Sequence, residues 1–283
     1  MQLPHLTQAQ APLTCEVFAV NEFGERISVS IPAERALTVY VDKRELVTLM
    51  TLGAHPELLV LGYLRNQRLV KTIEEIESIT VDWDVGAAAV KTRGGIADIE
   101  EKTAKRVVTT GCGQGSVFGG LMDAVDQIKL PVDAHISQSQ LYALVNTIRL
   151  KETTYKSAGS VHACALFDGA STEPDMLLFV EDVGRHNAID TIAGWMFMNP
   201  DKLVSSKLVF YTTGRLTSEM VIKSAQMGVP IVVSRSGITQ MGHQVAQSVG
   251  LCAIGRATNK RFVCYASVHR LVLEPGLAGI KPA

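Results

Sequence analysis

Two patterns of hydrophobic and polar positions divide the chain. In the first hundred residues, short segments alternate apolar and polar positions, as half-buried strands do; Ile-Ser-Val-Ser-Ile at 27–31 is the clearest case. This pattern predicts a small α+β domain with a mostly antiparallel sheet. Its further predicted strands are 37–41, 46–50, 79–84 and 87–92, and its predicted helix is 56–65.

The second pattern begins near residue 137, where near-continuous apolar strands alternate with amphipathic helices. Ser137 is a plausible N-cap, because Leu141, Leu144, Val145 and Ile148 follow at helical spacing. Such alternation predicts βαβ units with right-handed crossovers and a sheet covered on both faces. The predicted strands are 162–167, 177–180, 208–211, 231–233, 251–254 and 262–265, with helices after 187, 217 and 237.

A charged stretch at 98–106 separates the two patterns and is typical of a solvated linker or helix end. We therefore predict an α/β chain with four parts. These are a flexible tail at 1–14, a small α+β domain at 15–104, a larger α/β domain at 105–272 and a second flexible tail at 273–283.

Composition narrows the class of protein. The 283 residues carry a net charge of −1, which gives no global case for a nucleic-acid partner or an anionic membrane surface. The five cysteines are widely spaced and odd in number, so we expect a reducing cytoplasm rather than a disulfide framework. We find no secretory signal and no apolar run of the ~18 residues that a spanning helix needs, so no membrane insertion is predicted.

Polar turns follow the predicted strands at 111–116, 181–187, 212–219 and 234–237. In open α/β sheets, ligands bind at the carboxyl ends of the strands, and helix N-termini there favour phosphate. Three of the turns carry an arginine able to bind phosphate oxygens in pairs, and a basic stretch follows at 256–261. The sequence therefore predicts a phosphorylated ligand. The three arginines are Arg185, Arg215 and Arg235.

Cys112 lies between glycines in the first of these turns, in Gly111-Cys-Gly-Gln-Gly115. Glycine lets the backbone turn sharply and a ligand approach, so the thiol is either a reactive group or a packed small residue. The other cysteines in predicted strands are expected to be core residues. They are Cys164, Cys252 and Cys264.

Each of the other candidate residues could have a structural or a functional role. His186 near Asp182 suits a helix cap or ion pair as well as it suits catalysis. Ser218 and Glu219 are typical of capping residues at a helix start. His162-Ala-Cys164 is similar to the H-x-E of zinc deaminases, but the partner P-C-x-x-C is absent, so no metal site is predicted.

Several of these turns together resemble the formate dehydrogenase accessory sulfurtransferase family (FdhD). The similarity spans about residues 34–265, and its most specific runs are Glu-Asp-Val-Gly-Arg-His-Asn-Ala at 181–188 and Gly-Arg-Leu-Thr-Ser-Glu-Met at 214–220. Further runs lie at 34–41, 45–50 and 233–236.

The resemblance implies a sulfur carrier that needs two protein partners and a cofactor as substrate. Members take sulfane sulfur from a cysteine desulfurase as a cysteine persulfide. They pass it to molybdenum bis(molybdopterin guanine dinucleotide) before that cofactor is inserted into formate dehydrogenase. The family fold pairs a small N-terminal α+β domain with a larger cytidine-deaminase-like, three-layer domain, and members form homodimers.

Carried onto this sequence, the resemblance makes Cys112 the persulfide residue. Gly115 stands where the family has the second cysteine of a Cys-x-x-Cys, so a single persulfide is expected. Arg185, Arg215 and Arg235 are then expected to hold phosphates of the cofactor, which a guanine nucleotide would mimic. The family's cofactor-binding segment falls on Arg256, Ala257, Thr258, Asn259, Lys260 and Arg261, where Thr258 replaces a frequent arginine.

Two other functions are compatible with these residues. A non-catalytic chaperone for the molybdenum cofactor is the main alternative to the sulfurtransferase, and the missing second cysteine favours it. A hydrolase with Cys112 as nucleophile and His186 as base would require those two side chains within hydrogen-bond reach.

Overall fold

A computed structural model describes residues 2–96, 99, 125–151 and 153–277 of the chain. These residues fall into two compact units. Unit 1 takes its residues from Met1–Val117, Glu152–Ala163 and Val180–Met198. Unit 2 takes its residues from Phe118–Lys151, Cys164–Phe179 and Asn199–Ala283.

The strands and helices predicted from the hydrophobic pattern are confirmed, and the structure adds short strands at 5–6, 14–20, 136–137 and 271–272 and a short helix at 154–158. The strands are β1 (His5–Leu6), β2 (Thr14–Val20), β3 (Arg26–Pro32), β4 (Arg35–Val41), β5 (Arg44–Thr51), β6 (Ile76–Asp82), β7 (Ala87–Thr92), β8 (Ile136–Ser137), β9 (His162–Asp168), β10 (Asp175–Asp182), β11 (Leu208–Thr212), β12 (Ile231–Ser234), β13 (Cys252–Thr258), β14 (Arg261–Ala266) and β15 (Leu271–Val272). The helices are α1 (Pro56–Asn66), α2 (Gln138–Lys151), α3 (Thr154–Ala158), α4 (Arg185–Met198), α5 (Ser218–Gln226) and α6 (Gln240–Ser248).

Unit 1 is built on a sheet of strand order β1-β6-β7-β4-β5. Pairs β4–β5 and β6–β7 are antiparallel, whereas β4–β7 and β1–β6 are parallel. The described sheet is therefore mixed rather than mostly antiparallel, because β7 returns beside β4 and the N-terminal segment adds β1. Strands β2 and β3 form a separate antiparallel hairpin.

Part of the stretch 1–14, which was predicted to be a flexible tail, packs against the sheet and helix α1 of unit 1. β1 pairs with β6, and the buried Glu57 carboxylate accepts hydrogen bonds from Thr7 Oγ1 and the Ala9 backbone N–H, both at 2.7 Å. The polar composition of this stretch does not reveal these contacts, because their acceptor lies about fifty residues further along the chain.

Two glycines bring α1 and α4 into close contact inside unit 1. A Cβ at Gly62 would overlap the Asp190 carbonyl oxygen, and a Cβ at Gly194 would overlap that of Leu58. The pair Asn66 Nδ2 to Asp190 Oδ1, at 2.7 Å, adds a buried hydrogen bond between the helices. This packing explains why α4 belongs to unit 1 although the sequence pattern assigns it to the larger domain.

Unit 2 contains most of a six-stranded sheet of order β10-β9-β11-β12-β13-β14. Strands β11, β12 and β13 are mutually parallel, as the βαβ pattern predicts, while β9 and β14 pair antiparallel with β11 and β13. Every residue of β11 and β12 is buried, which accounts for their continuous apolar sequence.

The chain is therefore a mixed α/β protein. The cytidine-deaminase-like three-layer arrangement of the larger domain stays a prediction, and the domain boundary near residue 105 lies outside the described residues. Within the part of the chain that the structure describes, no helix is long and apolar enough to cross a membrane.

Candidate functional site

The carboxyl ends of β11, β12 and β13 form one edge of the sheet in unit 2. Thr212 at the end of β11 pairs with Ser234 at the end of β12, and Val233 pairs with Ile254 on β13. Parallel strands bring the following turns to the same side, so two of the predicted turns, 212–219 and 234–237, lie next to one another.

Side-chain hydroxyls bind the first two turns together. Ser234 Oγ donates to the Gly214 carbonyl at 2.6 Å, and Ser236 Oγ donates to the Thr213 carbonyl at 2.8 Å. The Arg235 N–H also donates to the Thr212 carbonyl at 3.0 Å. The two serines of Ser234-Arg-Ser236 thus hold the two turns together through their hydroxyl groups. The sequence pattern did not predict this role for them.

The third turn is attached to the second by backbone contact. The Arg256 N–H donates to the Ser236 carbonyl at 2.7 Å. A Cβ at Gly255 would lie 2.9 Å from that same carbonyl oxygen and 2.9 Å from the Tyr265 ring, so glycine is needed there. Arg256 has φ +52°, a left-handed conformation that is uncommon for a residue with a side chain and is often found at ligand sites.

Two helices of unit 2 begin directly after these turns. α5 has Thr217 as its N-cap, and α6 has Thr239, whose Oγ1 accepts a hydrogen bond from the Gly242 N–H at 3.1 Å. The Leu216 N–H donates to the Gly237 carbonyl at 3.0 Å, so the two helix starts are also linked. Helix N-termini supply N–H donors and partial positive charge, which adds to the anion-binding character of this edge.

The residues at the start of α5 differ from the capping prediction. Thr217 is the N-cap, and Ser218 is the first residue of the helix. Glu219, in the first turn, is 7% exposed, and its carboxylate forms an ion pair with the fully buried Lys223 at 3.5 Å. Glu219 therefore stabilises the helix through its side-chain partner one turn further on, rather than by capping the end.

Three arginines extend from the linked turns: Arg215 and Arg256 are exposed, and Arg235 is half-buried. Their guanidinium groups can form paired hydrogen bonds with phosphate oxygens. The turns, the helix starts and these cations together make an edge suited to an anionic ligand. Binding of a phosphorylated ligand at this edge stays a prediction.

The basic segment 256–261 covers the end of β13, the turn at 259–260 and the first residue of β14. Thr258 pairs with Arg261 across this turn, and Asn259 has φ +50°. Ala257 is buried, and the other residues of the segment are exposed. Tyr142 of α2 supports the turn, because its hydroxyl donates to the Lys260 carbonyl at 3.1 Å.

A cavity of about 230 Å³ lies between this turn and α2. Sequence reasoning identified its turn residues but missed its helix residues, because only the folded chain places α2 beside the turn. Arg149 and Lys260 give the cavity positive charge. The lining residues are Tyr142, Val145, Asn146, Arg149, Asn259 and Lys260.

In unit 1, the carboxylates of Glu181 and Asp182 accept hydrogen bonds from nearby backbone N–H groups and side chains. Glu181 accepts from Thr153 Oγ1 at 3.0 Å and from the Thr154 N–H at 2.8 Å, next to the start of α3. A buried carboxylate with several fixed donors is an organiser of the surrounding chain.

Asp182 is 3% exposed and accepts four hydrogen bonds. Thr51 Oγ1 at 2.5 Å and the Leu52 N–H at 3.2 Å bind one oxygen, and Gly184 N–H at 3.1 Å and Asn187 Nδ2 at 2.9 Å bind the other. Burial raises the pKa of this carboxyl, and these hydrogen bonds act against that change. Asp182 therefore joins the start of α4 to the end of β5.

Arg185 and His186 are the first two residues of α4; Arg185 is half-buried and His186 is 2% exposed. Both belong to unit 1, whereas Arg215, Arg235 and the segment 256–261 belong to unit 2. Convergence of Arg185 with the other arginines on one ligand stays a prediction.

Cys112 and Gly115 lie outside the described residues. Cys164 and Cys252 are fully buried, which confirms them as core residues. Cys264 differs, because it is half-buried and its Sγ lies 3.9 Å from Cys252 Sγ. Within the described ranges, no group of three or more histidine, cysteine or acidic side chains could hold a metal ion.

Comparison with a solved structure defines the fold class. The chain superposes on the crystal structure of a candidate formate dehydrogenase accessory protein from Desulfotalea psychrophila with a TM-score of 0.72. The match covers 92% of this chain and 100% of the other at 21% sequence identity, so it shows a shared fold.

Sequence comparison then gives the family. The sequence model that describes the FdhD/NarQ family matches residues 32–272 of this chain. The sulfur carrier protein FdhD of Bacillus subtilis strain 168 is 33% identical over 258 residues, covering 89% of this chain and 92% of that protein. The sulfur carrier protein FdhD of Geobacillus kaustophilus is 26% identical over 243 residues, covering 86% and 90%. The chain belongs to the FdhD/NarQ family.

Proposed function

We propose that this chain is a sulfur carrier, a sulfurtransferase needed for formate dehydrogenase activity in the cytoplasm. The similar proteins from B. subtilis and G. kaustophilus are named sulfur carrier protein FdhD and match along nearly their whole length. In this proposal, a cysteine desulfurase supplies the sulfur, and the molybdenum cofactor receives it as the substrate of the second step.

Cys112 is the proposed carrier residue. Its thiolate attacks the outer sulfur of a persulfide on the desulfurase, a new S–S bond forms, and the desulfurase cysteine leaves as a thiolate that takes up the persulfide proton. Gly115 replaces the neighbouring thiol found in the family, so Cys112 holds the sulfur as a persulfide without an internal disulfide competing for it.

The linked turns of unit 2 support the proposed binding of the molybdenum cofactor. Arg215, Arg235 and Arg256 extend from turns that hydrogen bonds hold together, next to two helix starts. Such a rigid, cationic edge suits the diphosphates of molybdenum bis(molybdopterin guanine dinucleotide). The turn 256–261 contributes further contacts, and a guanine nucleotide occupies the same place. Arg185 of unit 1 is a separate proposed phosphate contact, and we propose that the chain forms a homodimer.

A labelling experiment tests the sulfur step. The purified protein is incubated with a cysteine desulfurase and cysteine labelled with radioactive sulfur, and the label on each peptide is measured without reducing agent. We expect the label on Cys112 and its loss in Cys112→Ala, while Cys15→Ala, which removes an exposed cysteine, is labelled normally. Equal labelling of Cys112→Ala would overturn the assignment.

The alternative is a chaperone that binds the cofactor without carrying sulfur, and it is favoured by the single cysteine at 112. It predicts that the guanine nucleotide binds but that no sulfur is transferred. The two proposals therefore agree on the cationic edge of unit 2 and differ on the need for the Cys112 thiol.

A further inference from the structure

A pair of thiols in unit 2 lies in direct contact on neighbouring strands. Cys252 begins β13 and Cys264 lies on β14, where it is paired with Ile254. Cys252 and Ile254 are two residues apart and share one face of the sheet, so Cys264 shares that face also. The two Sγ atoms are 3.9 Å apart, within hydrogen-bonding distance for sulfur.

The two thiols differ in access. Cys252 is 0% exposed and belongs to the hydrophobic core of unit 2, whereas Cys264 is half-buried and packs at the margin of that core. β14 is the last strand in the order of the sheet, so one of its edges is not covered by another strand of that sheet. A small reagent can therefore reach Cys264 but not Cys252.

Cys264 Sγ donates to the Ala266 carbonyl at 3.5 Å, so as a thiol it is placed to accept the hydrogen bond of Cys252. A hydrogen bond from Cys252 lowers the pKa of the Cys264 thiol. The same hydrogen bond, together with burial, raises the pKa of Cys252, so Cys252 keeps its proton. A low pKa increases the fraction of thiolate, which is the nucleophilic form.

The charged groups around the pair are few and are engaged elsewhere. Arg270, which acts on Cys252 through its charge, donates to the carbonyls of Gly250 at 3.0 Å and Pro131 at 2.6 Å. His243 on α6 contacts the Tyr265 carbonyl at 3.0 Å through Nε2. The described polar contacts of Cys264 Sγ are therefore the Ala266 carbonyl, which accepts its proton, and Cys252, the neighbour able to donate to it.

We propose that Cys264 is a second sulfur-accepting thiol, with Cys252 as its positioning and hydrogen-bond-donating partner. The choice of a persulfide as the reagent rests on the proposed sulfur-carrier function. The Cys264 thiolate attacks the outer sulfur of a small persulfide R–S–SH, the new Cys264 S–S bond forms, and the R–S bond to that sulfur breaks. The leaving thiolate takes the proton of the transferred sulfur, giving R–SH and a Cys264 persulfide anion.

The two cysteines lie close in the fold to the proposed substrate-binding segment, which suggests a role for a sulfur atom held on Cys264. Cys252 and Cys264 lie on the two strands that are joined through the segment 256–261, the proposed substrate-binding segment. A sulfur atom held on Cys264 would therefore be stored in the same hairpin that binds the receiving substrate. This offers a second holding position in a chain that has glycine at 115.

The test uses the full chain carrying Cys112→Ala, with no desulfurase, and glutathione persulfide as the probe. Persulfides are trapped by alkylation at several pH values and assigned to peptides by mass. We expect Cys264 to be modified several-fold faster than the exposed Cys15 at neutral pH. Equal or slower modification of Cys264 would overturn the proposal, whatever happens at Cys112.

Variants at position 252 separate activation from packing. Cys252→Ala removes the donor, so the pH midpoint for modification of Cys264 should rise and the rate at pH 7 should fall several-fold. Cys252→Ser keeps a donor and should stay near the starting rate. Cys164→Ala removes another fully buried cysteine and serves as the packing control. An unchanged pH midpoint in Cys252→Ala would contradict the role of Cys252.

Discussion

Single polar residues determine the shape of the proposed substrate site. Ser234 is fully buried, and its Oγ both donates to the Gly214 carbonyl and accepts from the Ser236 N–H at 3.0 Å. One hydroxyl thus fixes two turns, each of which carries an arginine. The arginines supply the positive charge, and the hydrogen bonds of Ser234 fix the positions of the turns that carry them.

Ser234→Ala is therefore expected to weaken binding of GDP. Loss of the hydroxyl leaves a buried carbonyl and a backbone N–H without this partner, at a cost of ~1–3 kcal/mol in folding free energy. We expect GDP affinity to fall about tenfold, equivalent to ~1.4 kcal/mol, in isothermal titration calorimetry. Ser248→Ala, at an exposed position ending α6, is the matched control and should bind like the starting protein. Unchanged affinity in Ser234→Ala would contradict the role of the turns.

Residue-scale features were predictable from sequence where a local rule applies. Arg215 and Arg235 were identified because they follow apolar strands, and strand ends of α/β sheets bind ligands. Arg149 was not, because its position in a helix resembles any exposed helical arginine until α2 packs beside the turn 256–261. The contact of Cys252 with Cys264 depends on strand register, which the sequence does not specify.

At the scale of elements, the close packing of α1 and α4 stands out in unit 1. Gly62 and Gly194 allow the two backbones to approach, with carbonyl oxygens where Cβ atoms would lie. α4 also begins with Arg185 and is held at that end by Asp182. The helix is thus fixed at its start by hydrogen bonds and along its length by this contact.

Gly194→Ala is expected to destabilise the protein by several kcal/mol, since overpacking costs ~1–3 kcal/mol and here the contact is with backbone. Urea unfolding should show a lower midpoint. Gly94→Ala is the control, because a Cβ at Gly94 meets nothing within 4 Å. Equal unfolding midpoints for the two variants would show that the helices can separate without cost.

Strand and helix positions were the most predictable elements, because burial imposes its period directly on the sequence. The parallel run β11–β12–β13 follows from fully apolar strands joined by helices. Assignment of α4 to unit 1 could not be predicted, because it depends on two glycines more than one hundred and thirty residues apart coming together. β1 and β2 were missed because short or exposed strands carry a weak pattern.

At the scale of the whole molecule, the fold and the family are shared with proteins named as sulfur carriers, while the net charge is only −1. The proposed binding of a phosphorylated substrate therefore rests on local cations of unit 2, Arg215, Arg235 and Arg256, and not on net charge. Sulfur acceptance and substrate binding are separate properties in this account, one assigned to Cys112 and the other to the linked turns.

Complementation of a strain that lacks its own accessory factor separates a sulfur carrier from a chaperone. Formate dehydrogenase activity is measured in cells expressing the starting protein, Cys112→Ala or the control Cys15→Ala, and GDP binding is measured on each purified protein. We expect no restored activity with Cys112→Ala, full activity with Cys15→Ala, and equal GDP affinity for all three. Restored activity with Cys112→Ala would contradict the sulfur carrier and favour the chaperone.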